Sequence, residues 1–258
     1  HVGIIARTVE DAALILDVVG QPDRKKSSPI NRHKIKFSEK LNSGNHLSGI
    51  RIGIPKGFFF ENVDDEILKA THKVIKYLET KGGCLCDVTL PNMDHTRTVS
   101  LTIQMPEALS FHMPWLKDRS AAYSSDFLAG LALGQNILAE HYVKCKRMLT
   151  NYRDSVDQLF EDVDVIITPS TPIISPKLNC VNITTKGLTE PVGNAVTRFT
   201  SFFNMTGHPA ITIPSGLHSK GLPMGVQLIG PQFGELSLLK LGKLIEENQD
   251  FNIQKTSI

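Results

Sequence analysis

Residues 50–91 constrain the fold most tightly. Ile50, Ile52 and Ile54 alternate with other residues and stop at Pro55, the period of two that turns one side of a strand toward a core. Ile67, Thr71, Val74, Ile75 and Leu78 then recur at helical spacing in a helix expected from Asp64 to Gly82. Cys84, Cys86, Val88 and Leu90 alternate again before Pro91. Strand, helix and strand in that order predict a βαβ unit, and hence a parallel pair joined by a right-handed crossover.

The flanking segments extend an α/β reading. Thr8 with Asp11 three residues on reads as a helix N-cap, followed by Val9, Ala12, Ala13, Leu16 and Val19 at helical spacing and Gly20 as a stop. Residues 21–48 are rich in Ser, Asn, Pro and Lys and read as an exposed connecting loop; the seven basic residues and one acidic residue from Arg24 to Lys40 read as a solvated face, since no aromatics interleave with them. Residues 94–160 read as helical. Leu138, Tyr142, Cys145, Leu149, Tyr152, Val156 and Leu159 fall on one face, and Pro106 and Pro114 are expected to end the helices before it. Val163, Val165 and Ile167 read as a buried strand ended by Thr168-Pro169. A helix is expected across Val192–Phe203. An antiparallel hairpin follows, with strands starting at Ile211 and at Gly225, and Glu235–Glu247 reads as a closing helix. The sum is α/β with a mixed, mainly parallel sheet covered by helices.

Composition excludes several classes. The 258 residues are 41% hydrophobic, 21% charged and 7% aromatic, values of a folded globular chain rather than a disordered or fibrous one. Lys+Arg 28 against Asp+Glu 26 leaves a net charge of +2, too balanced for a nucleic-acid partner. No apolar run reaches the roughly 18 residues of a membrane span, so no membrane partner is expected. Cys84, Cys86, Cys145 and Cys180 have neither disulfide-scaffold density nor zinc-ligand spacing. They read as buried free thiols of a reducing, cytoplasmic compartment, and no metal or cofactor is expected.

Chemical motifs are sparse. G-x-S-x-G and G-x-G-x-x-G are both absent. His208, in Thr206-Gly-His-Pro209, has no Ser/Asp pair at defined spacing and reads as structural. Ser27-Ser28, Ser124-Ser125 and Lys117-Asp118 lack the glycines or the order that a serine–lysine centre needs. The loop Thr168-Pro-Ser-Thr-Pro172 is more promising, because ligands in open α/β sheets sit beyond the carboxyl ends of strands and its hydroxyls could line a pocket there.

Four segments carry a resemblance. Gly3-Ile-Ile-Ala-Arg-Thr-Val-Glu-Asp-Ala-Ala13, Asp164-Val-Ile-Ile-Thr-Pro-Ser-Thr-Pro172, Phe199-Thr-Ser-Phe-Phe-Asn-Met-Thr-Gly-His-Pro-Ala-Ile-Thr-Ile-Pro-Ser-Gly216, and Gly221-Leu-Pro-Met-Gly-Val-Gln-Leu-Ile-Gly230 with Glu235 occur in the order found in the amidase signature family. Arg51–Pro55 and Val88–Pro91 also resemble its course. The resemblance implies hydrolysis of a linear amide to an acid and ammonia or amine, with no cofactor. In that family a serine nucleophile, a second serine in a cis peptide and a lysine base act together. A hydroxyl needs such a base, and backbone N–H groups then hold the oxyanion.

In the family those catalytic residues precede the segment matched by Gly3. The chain, which opens on His1 rather than Met, is therefore expected to be the C-terminal part of a single amidase domain (residues 1–258), incomplete on its N-terminal side, with no catalytic residue of its own. By resemblance, Thr168, Ser170, Thr171, Phe203 and Asn204 would line the substrate pocket. The expected partners are a small-molecule amide and the upstream catalytic portion, with a homodimer left open. Two alternatives remain: an A-type subunit of a glutamine-dependent tRNA amidotransferase, and a non-catalytic remnant that binds a ligand or partner.

Overall fold

Two parallel strands flanking a helix form the first half of the sheet, as the alternation of residues 50–91 requires. The computed structural model describes residues 3–21, 35–41, 47, 49–248, 250 and 251. Strand β1 (Arg51–Pro55) pairs in parallel with β2 (Cys84–Val88) across helix α3 (Asp65–Thr80). Asp64 caps α3, its carboxylate accepting the N–H groups of Glu66 and Ile67. Before this unit, Thr8 accepts the Asp11 N–H and caps α1 (Val9–Val19).

Much of 21–48 lies outside the described residues, Ser27-Ser28 included. The described part is not wholly an exposed loop. Helix α2 (Phe37–Lys40) is held to α1 by Asp17, whose carboxylate accepts the Phe37 and Ser38 N–H groups and the Ser38 hydroxyl, and Leu41 and Leu47 are buried.

The middle of the chain is helical, but its boundaries differ from expectation. Helix α4 (Thr96–Arg119) runs through both Pro106 and Pro114. Each proline removes one helical donor, and tertiary packing holds the helix across the gaps. A Cβ on Gly134 would lie 2.6 Å from the Met105 carbonyl oxygen, so the missing side chain lets α5 (Ser125–Gly134) approach α4 at the turn that Pro106 interrupts. A short 3-10 turn, Ser120–Ala122, links them, and Ser124 caps α5 by accepting the Phe127 N–H. Of the expected stripe, helix α6 (Ala139–Asp162) buries Cys145, Leu149, Tyr152 and Val156 and partly buries Tyr142 and Leu159, whereas Leu138 precedes the helix and is exposed.

Strand β3 (Val165–Pro169) is buried throughout and stops at Pro169 as expected, but it begins at Val165, since Val163 caps the end of α6. It pairs in parallel with β1 only at Val165 and Ile166, so Pro169 needs no donor on that side. After it, β4 (Asn182–Thr185) and β5 (Leu188–Pro191) form an exposed hairpin. The helix expected across Val192–Phe203 is two: α7 (Val192–Thr197) and α8 (Thr200–Thr206). The break falls at Arg198 and Phe199, one committed to an ion pair and the other to the core. Strands β6 (Ala210–Leu217) and β7 (Pro223–Ile229) make the expected antiparallel hairpin, and α9 (Glu235–Glu246) follows.

The sheet order is β2-β1-β3-β7-β6. Because β3/β7 and β7/β6 are antiparallel, β7 alone runs against the other four strands, a mixed and mainly parallel sheet. Alternation on β3 splits the core. Ile166 faces an aromatic layer with Phe59, Phe199, Phe202 and Phe203, whereas Val165 and Ile167 face an aliphatic layer with Val74, Leu228, Leu238 and Ile245. Among the cysteines, all free, only Cys145 is buried; Cys84 and Cys180 are exposed and Cys86 is half-buried. The expectation of buried thiols fails for Cys84 and Cys86 because β2 is an edge strand, and for Cys180 because it precedes an exposed hairpin.

Candidate functional site

The carboxyl end of β3 brings together three of the five expected pocket residues. Thr168 and Ser170 follow Ile166 at a period of two and so turn toward the aromatic layer. The Thr168 hydroxyl donates to the Pro169 carbonyl at 3.0 Å and accepts from Gln227 Nε2 at 3.3 Å. The Ser170 hydroxyl donates to the Gly225 carbonyl at 2.9 Å, beside the backbone bond from Ser170 N–H. A Cβ on Gly225 would lie 3.0 Å from Ser170 Oγ, so the glycine makes room for the serine. Thr171 donates to the Ile173 carbonyl at 2.8 Å, and the Pro172 carbonyl accepts the Asp64 N–H at 2.9 Å, tying this loop to the head of α3. Phe203 is buried in the aromatic layer, its ring stacked on Phe59 with centroids 5.5 Å apart, and Asn204 is exposed on α8.

Two histidines sit beside hydroxyls and carboxylates. His208 Nδ1 lies 2.9 Å from Thr206 Oγ1, and its Nε2 lies 3.1 Å from Asp157 Oδ1. The order hydroxyl, imidazole, carboxylate matches a nucleophile, a base and an orienting group. Thr206 and His208 are both buried, however, which denies a substrate access to the hydroxyl. Burial pushes the His208 pKa below the ordinary histidine range, against the pull of Asp157. Gly207, at φ 85°, ends α8 in the left-handed region and turns the chain so that His208 reaches back to α6.

Sequence reading passed over His218. Its Nε2 lies 3.3 Å from Glu66 and 3.5 Å from Asp64, and its Nδ1 lies 3.5 Å from the Ser219 hydroxyl. That nitrogen already accepts the Lys220 N–H at 3.1 Å, while Ser219 donates to Glu66 at 2.6 Å. The ring nitrogen facing Ser219 is therefore occupied, and the cluster closes the β6–β7 turn onto α3.

Elsewhere a cleft of about 330 Å³ opens between the head of α4, hairpin strand β5 and helices α7 and α8. Arg97 and Arg198 contribute guanidinium groups to it, Glu190 a carboxylate, and Phe58, Met93 and Leu188 apolar wall. Arg198 Nη1 pairs with Glu190 at 3.1 Å and its Nη2 donates to the Asn62 carbonyl at 2.8 Å. Arg97 Nη1 donates to Thr197 Oγ1 at 3.0 Å. The Nε atoms of both arginines are buried and have no hydrogen-bond partner among the described residues. Burial lowers both guanidinium pKa values, with Glu190 opposing. Asn62 and Arg198 alone lie 136 positions apart, and the cleft residues share no motif, so sequence reading had no signal for them.

Among the described residues, no group of three or more His, Cys, Asp or Glu side chains could hold a metal ion, and no helix is long and apolar enough to cross a membrane.

Helices layered on both faces of a mixed sheet, with polar loops at a strand end, define an α/β domain. The chain belongs to the amidase family, whose model matches residues 1–239. It is 32% identical over 248 residues to an amidase of Pseudomonas putida, covering 96% of this chain and 53% of that protein. It is 28% identical over 279 residues to the A-type subunit of the glutamyl-tRNA(Gln) amidotransferase of Thermodesulfovibrio yellowstonii, covering 99% and 56%. A structure from a vestigial protein complex, bearing on the origins of an s-triazine catabolic enzyme, superposes with a TM-score of 0.83 at 26% identity over 93% of this chain and 52% of that one. A bacterial aryl acylamidase shares the fold, with a TM-score of 0.78 at 20% identity over 95% and 52%. The chain thus spans about half the length of the relatives it matches.

Proposed function

We propose that this chain forms the sheet core and pocket wall of an amidase that hydrolyses the C–N bond of a small linear amide, with the nucleophile and base supplied by a portion preceding it. Family membership across residues 1–239 carries this reading. The hydroxyl geometry supports it: Thr168, Ser170 and Thr171 donate to backbone carbonyls, and Thr206 and Ser219 face imidazoles that are buried or already engaged. In this reading Thr168, Ser170 and Thr171 border the substrate, Phe203 backs the wall and Asn204 reaches the amide from α8. The exposed free thiols of Cys84 and Cys180 accord with a cytoplasmic setting.

The test compares two lengths. The purified 258-residue chain is expected to release no ammonia or amine from simple aliphatic and aromatic amides. The protein extended upstream to the length of its relatives is expected to turn them over. An extended protein inert on amides, or a short chain that retains turnover after Thr206→Val and Ser219→Ala, overturns the proposal. Turnover restricted to glutamine selects the amidotransferase alternative.

A further inference from the structure

The geometry points to a metal site at the edge of the sheet: Cys84 and Cys86 together bind one soft monovalent cation of the copper(I) type through two thiolates. The site is independent of amide hydrolysis, and β2 lies two strands away from β3 in the sheet order.

Strand geometry supports it first. Cys84 and Cys86 are two apart in β2, which keeps a regular parallel register with β1, so both side chains turn to one face. On that face Val88 and Cys86 meet the aromatic layer. At about 3.3 Å per residue the two Cα atoms are about 6.6 Å apart. The Cα–Cβ bonds point the same way and keep that separation, whereas a disulfide needs Cβ atoms about 3.5–4.5 Å apart. The pair therefore cannot close on itself by oxidation. A linear sulfur–metal–sulfur bridge spans about 4.6 Å, twice the thiolate–zinc distance, and each sulfur reaches it by leaning about 1 Å toward the other. Cys86 already leans that way, its thiol donating to the Cys84 carbonyl at 3.8 Å.

The surroundings support it second. Both thiols are free, Cys84 exposed and Cys86 half-buried, on a strand that ends the sheet. Gly53 stands opposite Cys86 in the register and puts no side chain beside it. Neighbouring acids are committed: Asp87 turns to the other face and pairs with Lys56 at 2.8 Å, and Asp164 accepts Arg51 N–H groups at 2.7 and 2.9 Å. Among the described residues no third His, Cys, Asp or Glu completes a metal-binding group with the pair. Two sulfurs and an apolar wall serve a hard or four-coordinate ion poorly and a thiophilic, two-coordinate one well.

Charge fits as well. The cation displaces one proton from each thiol and forms two metal–sulfur bonds. No electron is transferred, and the bis-thiolate carries one net negative charge. Arg51 stands opposite Cys84 in the register. Its guanidinium is held above its ordinary pKa chiefly by the hydrogen bond to Asp164 and in part by Cys86, so a positive group faces that charge.

The experiment titrates the reduced 258-residue chain with copper(I) against bicinchoninate, whose colour reports the copper it retains, and separately with Zn(II). One copper(I) per chain is expected. Cys84→Ser and Cys86→Ser are each expected to weaken it about 100-fold or more, the loss of a second ligand tethered at high effective concentration. Cys180→Ser, which removes the other exposed thiol, should change nothing. Near-UV circular dichroism checks that each protein is folded. Should the chain not fold alone, the protein extended upstream decides, by the loss of one copper equivalent on combining Cys84→Ser with Cys86→Ser. Copper uptake unaltered in that folded double variant, one copper per two chains, Zn(II) held as tightly as copper(I), or a Cys84–Cys86 disulfide found by peptide mass mapping after mild oxidation would each overturn the assignment.

Discussion

At the end of β3, three hydroxyls each donate to a carbonyl within 3.0 Å; in the cleft beside α4, two guanidinium Nε–H groups have no acceptor among the described residues. Both regions are polar and enclosed, and they differ in saturation. A saturated region holds its own shape, and a group removed from it can leave a partner stranded, as Gln227 Nε2 is without the Thr168 hydroxyl. In an unsaturated one some polar atoms lack a partner, and losing such an atom strands nothing. Substitutions that delete polar groups without changing volume much therefore separate the two, and the exception inside the cleft is its one complete pair.

That pair gives the largest expected effect. Arg198→Met leaves Glu190 sheltered without its partner and frees the Asn62 carbonyl. Breaking a buried pair by removing one member costs about 3–5 kcal/mol, expected as a lower urea midpoint at unchanged slope. Adding Glu190→Gln should recover part of the loss. Full stability in the single variant would mean that Arg97 takes over Glu190.

Next comes the saturated region. Thr168→Val keeps the shape and strands Gln227 Nε2, whose bond to Thr168 is 3.3 Å long in a fully enclosed setting. An expected loss of about 1–3 kcal/mol is measured by the same unfolding curves. A loss below about 0.5 kcal/mol, within the range of ordinary surface changes, would mean that this end of β3 is no more saturated than the cleft.

The two regions also differed in how legible they were. Strand β3 and its loop announced themselves through Val163, Val165 and Ile167 followed by prolines, because burial on both faces and an abrupt stop are local properties of sequence. The Thr8 cap, the start of α3 at Asp64, most of the stripe on α6 and the β6–β7 hairpin were legible for the same reason. What failed was non-local. Helix α4 passes two prolines because α5 packs on it. Hairpin β4–β5 has no apolar alternation, and its turn rests on Lys186 and Gly187, both at positive φ. The cleft is assembled from Asn62, Arg97, Glu190 and Arg198, which only tertiary structure brings within reach. Motif order made the strand-end residues visible by resemblance, whereas nothing comparable marks the arginines.

A third, smaller effect concerns His208, which belongs with the saturated groups through Thr206 and Asp157. Burial holds its folded pKa below the unfolded value, about 6.5. In acid the unfolded chain therefore takes up a proton that the native chain resists. This contribution is complete above about pH 6.5 and is lost as pH falls from there toward the folded pKa, at no more than about 1.4 kcal/mol per pH unit. Urea midpoints at successive pH values below neutrality should fall for the unchanged chain. His208→Gln should flatten that part of the profile, though it lowers the midpoint throughout. An unaltered profile in His208→Gln would assign the acid sensitivity elsewhere.

Arg97→Met carries the smallest stability change and the sharpest contrast. It removes the bond to Thr197 Oγ1, worth about 1 kcal/mol, but that hydroxyl keeps its own bond to the Gly193 carbonyl at 2.7 Å. It also removes a half-sheltered charge and an Nε–H with no acceptor, and methionine restores most of the stem's packing. The two contributions oppose each other, so the expected net change is within about 0.5 kcal/mol of zero, the range of surface substitutions. Thr168→Val, which deletes a single hydroxyl, should cost more than Arg97→Met, which deletes a whole guanidinium. That inversion of effect against the size of the group removed is what distinguishes an incompletely paired region from one that closes on itself. If Arg97→Met costs about 2 kcal/mol or more, on the scale of a buried charged hydrogen bond, Arg97 is a structural strut and the cleft is as saturated as the end of β3.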